Sequence, residues 1–475
     1  MAEADIGMAG LGVMGASLAL NMERNGFTVA VWDRDAKWID DFAGKRAVGK
    51  KIVAAKDAKE FVQALKRPRK IMLMVKAGAP VDWTIEQFKP FLEAGDTLID
   101  GGNSFYKDTA QREAKLASEG LNFIGTGVSG GEYGALYGPS LMPGGSREAY
   151  ENIRPIWESI AAKTEDGACT TYVGPSGAGH FVKTVHNGIE YGLMQAIAEA
   201  YDVLRRLGGM EADALADTFA EWNAGALESY LLEITSKILR VRDAVTGAPL
   251  VELILDQAGQ KGTGKWTTDA ALELGVATPT INAAVEARII SSLKEERVRA
   301  SRMIEMSGGK VYDGRREELI NATHDALHAS FVCAYAQGFN LIRAASDEYK
   351  WDVNLSEISR IWKGGCIIRA SLLDRIKSAY GRDGRLANLL LDEEINSAMK
   401  SAQAGWRRCL SASMNAGIPV GAMSASLAYF DSYRAENLPQ NLTQAQRDFF
   451  GAHTYVRVDK QEQGALHTNW EEHSG

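Results

Sequence analysis

Short apolar runs alternate with longer amphipathic stretches through the first third of the chain. Residues 4–9 (ADIGMA) are apolar and run into glycine. Residues 11–25 carry apolar positions at helical spacing through Val13, Leu18, Leu20 and Met22, and Gly26 stops them; residues 27–32 (FTVAVW) are β-branched and aromatic. That order predicts strand, glycine turn, helix, strand. Further apolar strands are expected at 71–75, 97–100 and 121–126, with helical stretches between them. Such alternation predicts a parallel, doubly wound sheet.

From about 178 the strand signals fade. Amphipathic stretches at 179–207, 211–239, 281–306, 318–345, 355–381 and 393–414 predict a large all-helical domain. Within it, 193–204 (LMQAIAEAYDVL) echoes 331–342 (FVCAYAQGFNLI) at an offset of 138, and Trp222 to Gly225 echoes Trp362 to Gly365 at an offset of 140. We read an internal helical repeat. Residues 435–455 show little periodicity and 459–475 are polar, so this tail is expected to fray or to dock elsewhere. The fold class that follows is an α/β Rossmann-type domain over 1–177, an all-α domain with an internal repeat over 178–436, and a C-terminal tail over 437–475.

Composition narrows the function. At 475 residues the chain exceeds a single core. A net charge of −8 argues against non-specific nucleic-acid binding, while leaving room for a local basic pocket that takes an anionic substrate. Cys169, Cys333, Cys366 and Cys409 form no C-x-x-C pair. Buried free thiols in a reducing cytoplasm are expected, with no disulfide framework or zinc site. Neither a signal peptide nor an 18-residue apolar run is read, so no membrane span is expected.

The first turn reads Gly10-Leu11-Gly12-Val13-Met14-Gly15. A lone G-x-G-x-x-G is a weak signal, but here it follows a strand and opens a helix, which is the context dinucleotide binding needs. The helix N-terminus then faces the pyrophosphate. Asp33, 18 residues after Gly15, is placed to accept hydrogen bonds from a ribose 2′-OH. Arg34 pulls the other way, since a guanidinium pairs with a 2′-phosphate or stacks on adenine. Asp35 beside them reads equally as a solvated turn residue.

The chemistry concentrates in 179–193, GHFVKTVHNGIEYGL. On a helix Lys183, His186, Asn187, Glu190 and Tyr191 fall within an arc of roughly 140°. The polar face mixes residue types, and Gly188 and Gly192 each cost a helix about 1 kcal/mol relative to alanine. A neutral lysine can take a hydroxyl proton as hydride leaves, and a carboxylic acid can later protonate a carbanion-like carbon. Gly127 to Glu132 (GVSGGE) offers backbone amides and the Ser129 hydroxyl to a carboxylate.

These segments, with GGNS at 101–104, YGPSLMPGG at 137–145, DQAGQKGTGKWT at 256–267, SSLKEER at 291–297 and QAQRDFFGAHTY at 444–455, resemble the decarboxylating 6-phosphogluconate dehydrogenases nearly end to end. The resemblance implies oxidation of 6-phosphogluconate at C3, loss of CO2, and release of ribulose 5-phosphate with NADH or NADPH, in the pentose phosphate pathway. It implies Lys183 as general base and later acid, and Glu190 as the acid that protonates C1 of the enediol, with no metal. Substrate contacts carry over to Asn103, Ser129, Gly130, Gly131, His186, Asn187, Tyr191, Lys261, Arg288, Arg447 and His453. Cofactor contacts carry over to Gly10, Leu11, Gly12, Val13, Met14, Gly15, Asp33, Arg34, Asp35, Val75, Lys76, Ala77 and Asn103. Members of the family are homodimers whose tail threads into the partner, so Arg447 and His453 would serve the neighbour's site.

Two departures matter. NADP-dependent members usually show Asn-Arg-Thr where this chain has Asp33-Arg34-Asp35, which tilts the expectation toward NAD or dual use. Tyr133 and Leu136 replace the common Glu and Arg, with little effect expected. In the repeat, Asn321, His324 and His328 align with Lys183, His186 and Glu190, so the second copy is expected to be scaffold. Two rivals stay open: a non-decarboxylating 3-hydroxyacid dehydrogenase, and a nucleotide-binding regulator without catalysis.

Overall fold

In a computed structural model, residues 3–305, 312 and 314–473 are described. Seven strands make one sheet: β1 (Ile6–Ala9), β2 (Val29–Trp32), β3 (Ile52–Ala54), β4 (Lys70–Leu73), β5 (Thr97–Asp100), β6 (Asn122–Ser129) and β7 (Ser140–Gly145). Their order is β3-β2-β1-β4-β5-β6-β7, parallel throughout except for the antiparallel β6–β7 pair. The sheet core is apolar, from Ile6, Met8 and Trp32 to Leu98, Phe123 and Ile124, as a sheet covered by helices on each side requires. The order reverses between β1 and β4, and a doubly wound sheet opens its binding crevice at that switch.

Helices α1 (Val13–Arg24), α2 (Ala36–Asp41), α3 (Ala58–Gln63), α4 (Ala79–Phe88), α5 (Tyr106–Ala117), α6 (Gly131–Tyr137) and α7 (Arg147–Ile160) complete this part. The 29-residue α8 (Ala178–Arg206) then crosses from sheet to helices. Its start packs on bare backbone: a Cβ on Gly179 would run into the carbonyls of Met142 and Gly125.

The helical part continues with α9 (Ala212–Trp222), α10 (Tyr230–Leu239), α11 (Leu250–Leu253), α12 (Thr263–Glu273), α13 (Pro279–Ser292), α14 (Lys294–Met303), α15 (Arg316–Tyr349), α16 (Leu355–Trp362), α17 (Leu372–Arg382) and α18 (Glu393–Asn415). A long helix followed by two short ones occurs twice, as α8–α9–α10 and α15–α16–α17, which is the repeat read from the sequence. The two long helices pack together, with Gly338 against Ile189 and Val185. In the second copy His324 lies edge-on to Trp222 and His328 is buried, so both belong to the packing.

Several expectations need correction. Strand β6 runs on to Ser129, because Gly127, Val128 and Ser129 pair with Met142, Leu141 and Ser140. The first half of the GVSGGE segment is therefore strand, and Gly131 opens α6. The stretch 281–306 breaks at Leu293, and its last residue, Met306, lies outside the described residues, as do Ser474 and Gly475 of the tail. The stretch 355–381 breaks after Trp362.

By their contacts, Met1–Ser426 and Leu427–Gly475 form separate compact units. The second contains a helix, α19 (Gln440–Gly451), in a stretch whose sequence shows little periodicity. Its order comes from one buried carboxylate rather than from an apolar face. Asp448 accepts from the Thr454 and Thr468 amides at 2.9 and 3.1 Å, and from His467 Nδ1 and Trp470 Nε1 at 2.9 Å each. His453 sits between Ala452 and Thr454, both left-handed at φ 46° and 61°. Non-glycine residues adopt that conformation at a cost, and only where their surroundings fix it.

Candidate active site

The glycine turn after β1 comes first. Gly10 is left-handed at φ 99°, and a Cβ on Gly15 would overlap the Gly10 carbonyl oxygen. The helix and turn thus approach as closely as a pyrophosphate loop demands. A cavity of about 690 Å³ opens over this turn. Gly12, Val13, Met14 and Gly15 form one wall, and Val75, Lys76, Ala77 and Asn103 another. Gly10 and Leu11 belong to the turn without lining the cavity.

Asp33, Arg34 and Asp35 follow the end of β2 and do not line this cavity. The Asp33 carboxylate does not reach outward: Oδ2 accepts the Leu11 N–H at 2.7 Å and Oδ1 the Asp35 N–H at 3.0 Å. Asp35 caps α2 by accepting from Lys37 N at 3.0 Å. Both acids therefore brace backbone, a role that the ribose-reading rule does not anticipate.

A second cavity of about 660 Å³ shares Met14, Asn103, Val128, Lys261 and Thr263 with the first. Ser129, Gly130 and Gly131 reach it from β6 and α6, Lys183, Asn187, Glu190 and Tyr191 from α8, and Arg288 from α13. Arg288 holds its guanidinium 3.4 Å over the Tyr191 ring and donates to the Gly259 carbonyl at 3.1 Å. Lys261 and Arg288 give the cavity two cations, suited to a phosphate dianion.

Lys183 is 7% exposed and lies on Gly127, where any Cβ would strike its own Cβ. Its Nζ donates to Asn187 Oδ1 at 2.8 Å and lies 3.4 Å from His186 Nδ1. Burial lowers the lysine below its ordinary value, against the opposing pull of Glu190. Burial raises the Glu190 carboxyl, against the pull of Lys183 and Arg288. The two groups thus move toward one another, the direction a general base and a general acid need.

His186 is placed behind the wall instead of in it. It is fully buried, its Nε2 lies 3.2 Å from Ser129 Oγ and its Nδ1 3.2 Å from Asn187 Oδ1. Trp362 meets its ring edge-on at 5.4 Å. Burial and the neighbouring Lys183 hold this imidazole well below its ordinary value, hence neutral. With Asn187 Oδ1 accepting from Nδ1–H, Nε2 accepts from Ser129, so His186 ties the Ser129 hydroxyl to the lysine face. Arg447 and His453 belong to the second unit.

Comparison with known proteins fixes the family. Residues 5–174 match the NAD binding domain of 6-phosphogluconate dehydrogenase, and 179–470 match its C-terminal domain. A Synechococcus elongatus 6-phosphogluconate dehydrogenase, decarboxylating, is 55% identical over 99% of this chain and 100% of its own length. The NADP(+)-dependent, decarboxylating Bacillus subtilis enzyme is 53% identical over 99% and 100%. The chain belongs to the 6-phosphogluconate dehydrogenase family. The Plasmodium falciparum 6-phosphogluconate dehydrogenase, solved apo, with NADP+ and with 6-phosphogluconate, superposes with a TM-score of 0.94 at 41% identity, covering 98% of this chain and 100% of its own. Full-length agreement with decarboxylating members of the 6-phosphogluconate dehydrogenase family leaves neither rival reading favoured.

Sequence reasoning missed Trp266 and Thr263 in the first cavity, and Gln260 and Ile367 in the second. The first three lie in or beside the DQAGQKGTGKWT motif, which flagged them as a group without roles. Ile367 escaped because 355–381 reads as one helix; the Gly364-Gly365 pair was the available signal. Beside it, burial pushes the Cys366 thiol up to about 12, so it is inert despite its nearness to Lys183.

Proposed function

We propose that this chain oxidises and decarboxylates 6-phosphogluconate to ribulose 5-phosphate and CO2, reducing a nicotinamide dinucleotide. What carries the reading is one cavity that presents Lys183, Glu190, Lys261 and Arg288 together and shares Met14, Asn103, Val128, Lys261 and Thr263 with the glycine-turn cavity. The turn and the Val75–Ala77 segment fit a dinucleotide, which when bound accepts hydride from C3. Lys183, neutral, takes the C3 hydroxyl proton. As an ammonium it then polarises the new ketone while the carboxylate bond breaks and CO2 leaves, and it returns its proton to the enediolate oxygen. Glu190 protonates C1 of the enediol as Lys183 takes back the hydroxyl proton and the pentulose carbonyl forms. Asn103, Ser129, Gly130, Gly131, Asn187 and Tyr191 orient the sugar acid, with His186 acting through Ser129. The test is substrate choice: kcat/KM for 6-phosphogluconate is expected to exceed that for 3-hydroxyisobutyrate by at least about 10³-fold, since the phosphate clamp goes unused by the shorter acid. Comparable values for the two would overturn the reading.

The coenzyme is NAD or NADP. The relatives' names favour NADP+, while Asp33 and Asp35 would set two anions where the resemblance places a 2′-phosphate. At ~4 Å such repulsion is worth about 1–4 kcal/mol, and the backbone N–H groups on Asp33 soften it toward the lower end. We expect NAD to be used at least as well as NADP, and Asp33→Asn to shift the ratio of kcat/KM values toward NADP about 5–10-fold. The Asn oxygen keeps the Leu11 bond. A wild type strongly favouring NADP would contradict the argument from charge.

A homodimer with exchanged tails fits the exposed apolar residues Ile289, Ile290 and Leu293 at the end of α13, 49, 55 and 45% exposed, and the likewise exposed Leu253, Ile254 and Leu255. Arg447 and His453 of one copy would then complete the other's substrate cavity. Mixing inactive Lys183→Met dimers with inactive Arg447→Ala dimers under exchange should restore one intact site per mixed dimer. No recovery would place Arg447 with its own chain. Among the described residues no helix is long and apolar enough to cross a membrane. The four free, buried cysteines fit a reducing compartment such as the cytoplasm.

A further inference from the structure

Hydride transfer requires the coenzyme loop and the base-bearing helix to hold one register. The loop Gly101–Ser104 carries Asn103, which lines both cavities, and α8 carries Lys183. Asp100, fully buried at the end of β5, shapes the loop with its side chain. Its Oδ1 accepts the Gly102 N–H at 2.9 Å, and its Oδ2 accepts from Ser104 Oγ at 2.6 Å. The carbonyl of this same residue lies 3.1 Å from Nε2 of His180, in the first turn of α8. His180 Nδ1 lies 2.7 Å from Thr109 Oγ1 on α5.

The proton positions follow from the partners. A carbonyl only accepts, so Nε2 carries the hydrogen and donates to Asp100; Nδ1 then accepts from the Thr109 hydroxyl. Burial favours this neutral ring, with the Asp100 carboxylate and Arg112 as the charged groups nearby. Beside it, Gly179 meets the sheet through bare backbone at the Met142 and Gly125 carbonyls, contacts that set distance without a side-chain hydrogen bond. The His180 imidazole joins β5, α5 and α8 by two directional hydrogen bonds, as His186 joins α8 to β6 further along the helix.

We propose that His180 is a positioning residue that fixes the register between the coenzyme loop and Lys183. Each end of the link lies three residues from the group it places: Asp100 from Asn103, His180 from Lys183. The inference rests on the proposed roles of Lys183 and Asn103. Because His180 touches neither ligand, its loss should misplace hydride donor and acceptor without removing a binding contact. A displacement near 1 Å costs about 10²-fold in rate.

The test compares His180→Phe, which fills the space without either hydrogen bond, with His180→Gln, whose amide N–H reaches toward the Asp100 carbonyl. Full-length protein is assayed with 6-phosphogluconate bearing hydrogen or deuterium at C3. His180→Phe should lower kcat roughly 10–100-fold, leave both KM values within about 3-fold, and raise the primary isotope effect as hydride transfer becomes limiting. His180→Gln should recover most of kcat and return the isotope effect toward wild type. If His180→Phe does not fold, Thr109→Val carries the test, with the same signature and a kcat loss of roughly 5-fold. An unchanged isotope effect, or a Gln variant as impaired as the Phe variant, overturns the inference. The underlying reading fails by a different result, namely normal turnover in Lys183→Met.

Discussion

Replacing Lys183 with methionine is expected to lower kcat for 6-phosphogluconate by about 10³–10⁴-fold while leaving the protein as stable as before or more so. The two halves of that result have one cause. Lys183 is buried without a counter-ion in contact among the described residues; its Nζ donates to the neutral Asn187 and lies beside the neutral His186. In the unfolded chain its proton is held up to the ordinary value of 10.5, and burial weakens that hold in the folded state. The lowered value therefore means that the lysine costs stability at neutral pH, and the cost fades as the pH rises toward 10.5. Methionine fills a similar volume on Gly127 and carries no charge. Thermal denaturation beside steady-state rates checks both halves. A variant that is inactive because it is unfolded would show the opposite sign of Tm change.

Glu190→Gln is expected to lose about 10²–10³-fold in kcat, with substrate KM changed little. The amide keeps the shape and the wall beside Tyr191 but has no proton to give to carbon. The label in the product separates this from a general loss of fit. In D2O the wild type should place one deuterium at C1 of ribulose 5-phosphate in a single stereochemical position, because one face of the enediol meets the acid. Glu190→Gln should give slow turnover with the label spread over both positions as solvent takes over. Unchanged stereochemistry at a near-normal rate would remove Glu190 from the role. The raised carboxyl carries its own sign: folding disfavours the ionised form, so Glu190 costs stability above its ordinary value of 4.5, and the amide should relieve that cost.

Much of this site was readable from local spacing. The glycine turn follows a strand and opens a helix, and its three glycines have local jobs that one segment expresses. Lys183, Asn187, Glu190 and Tyr191 share a helical face, and periodicity alone brings them together. What was not legible depends on partners far along the chain. The extent of β6 is set by its pairing with β7, so the GVSGGE segment reads as loop until Ser140 is seen opposite Ser129. His186 shares the polar arc of α8, yet it packs edge-on against Trp362, over 170 residues later, and does not line the cavity. Asp33 obeys the positional rule for a ribose ligand, but the rule does not contain the Leu11 N–H that takes one of its oxygens. The second unit hid its helix for a related reason: a buried Asp448 with four donors leaves no periodic trace.

The account stands on a lysine and a glutamate that act in succession, first on a hydroxyl and then on carbon, with carbon dioxide lost between. The measurement closest to that claim is the stoichiometry of one reaction mixture containing 6-phosphogluconate and NAD or NADP. Reduced dinucleotide is followed by absorbance and CO2 is trapped and counted. The account predicts equal amounts of the two at every time point, with ribulose 5-phosphate as the sugar product. Reduced dinucleotide accumulating without CO2 would contradict it.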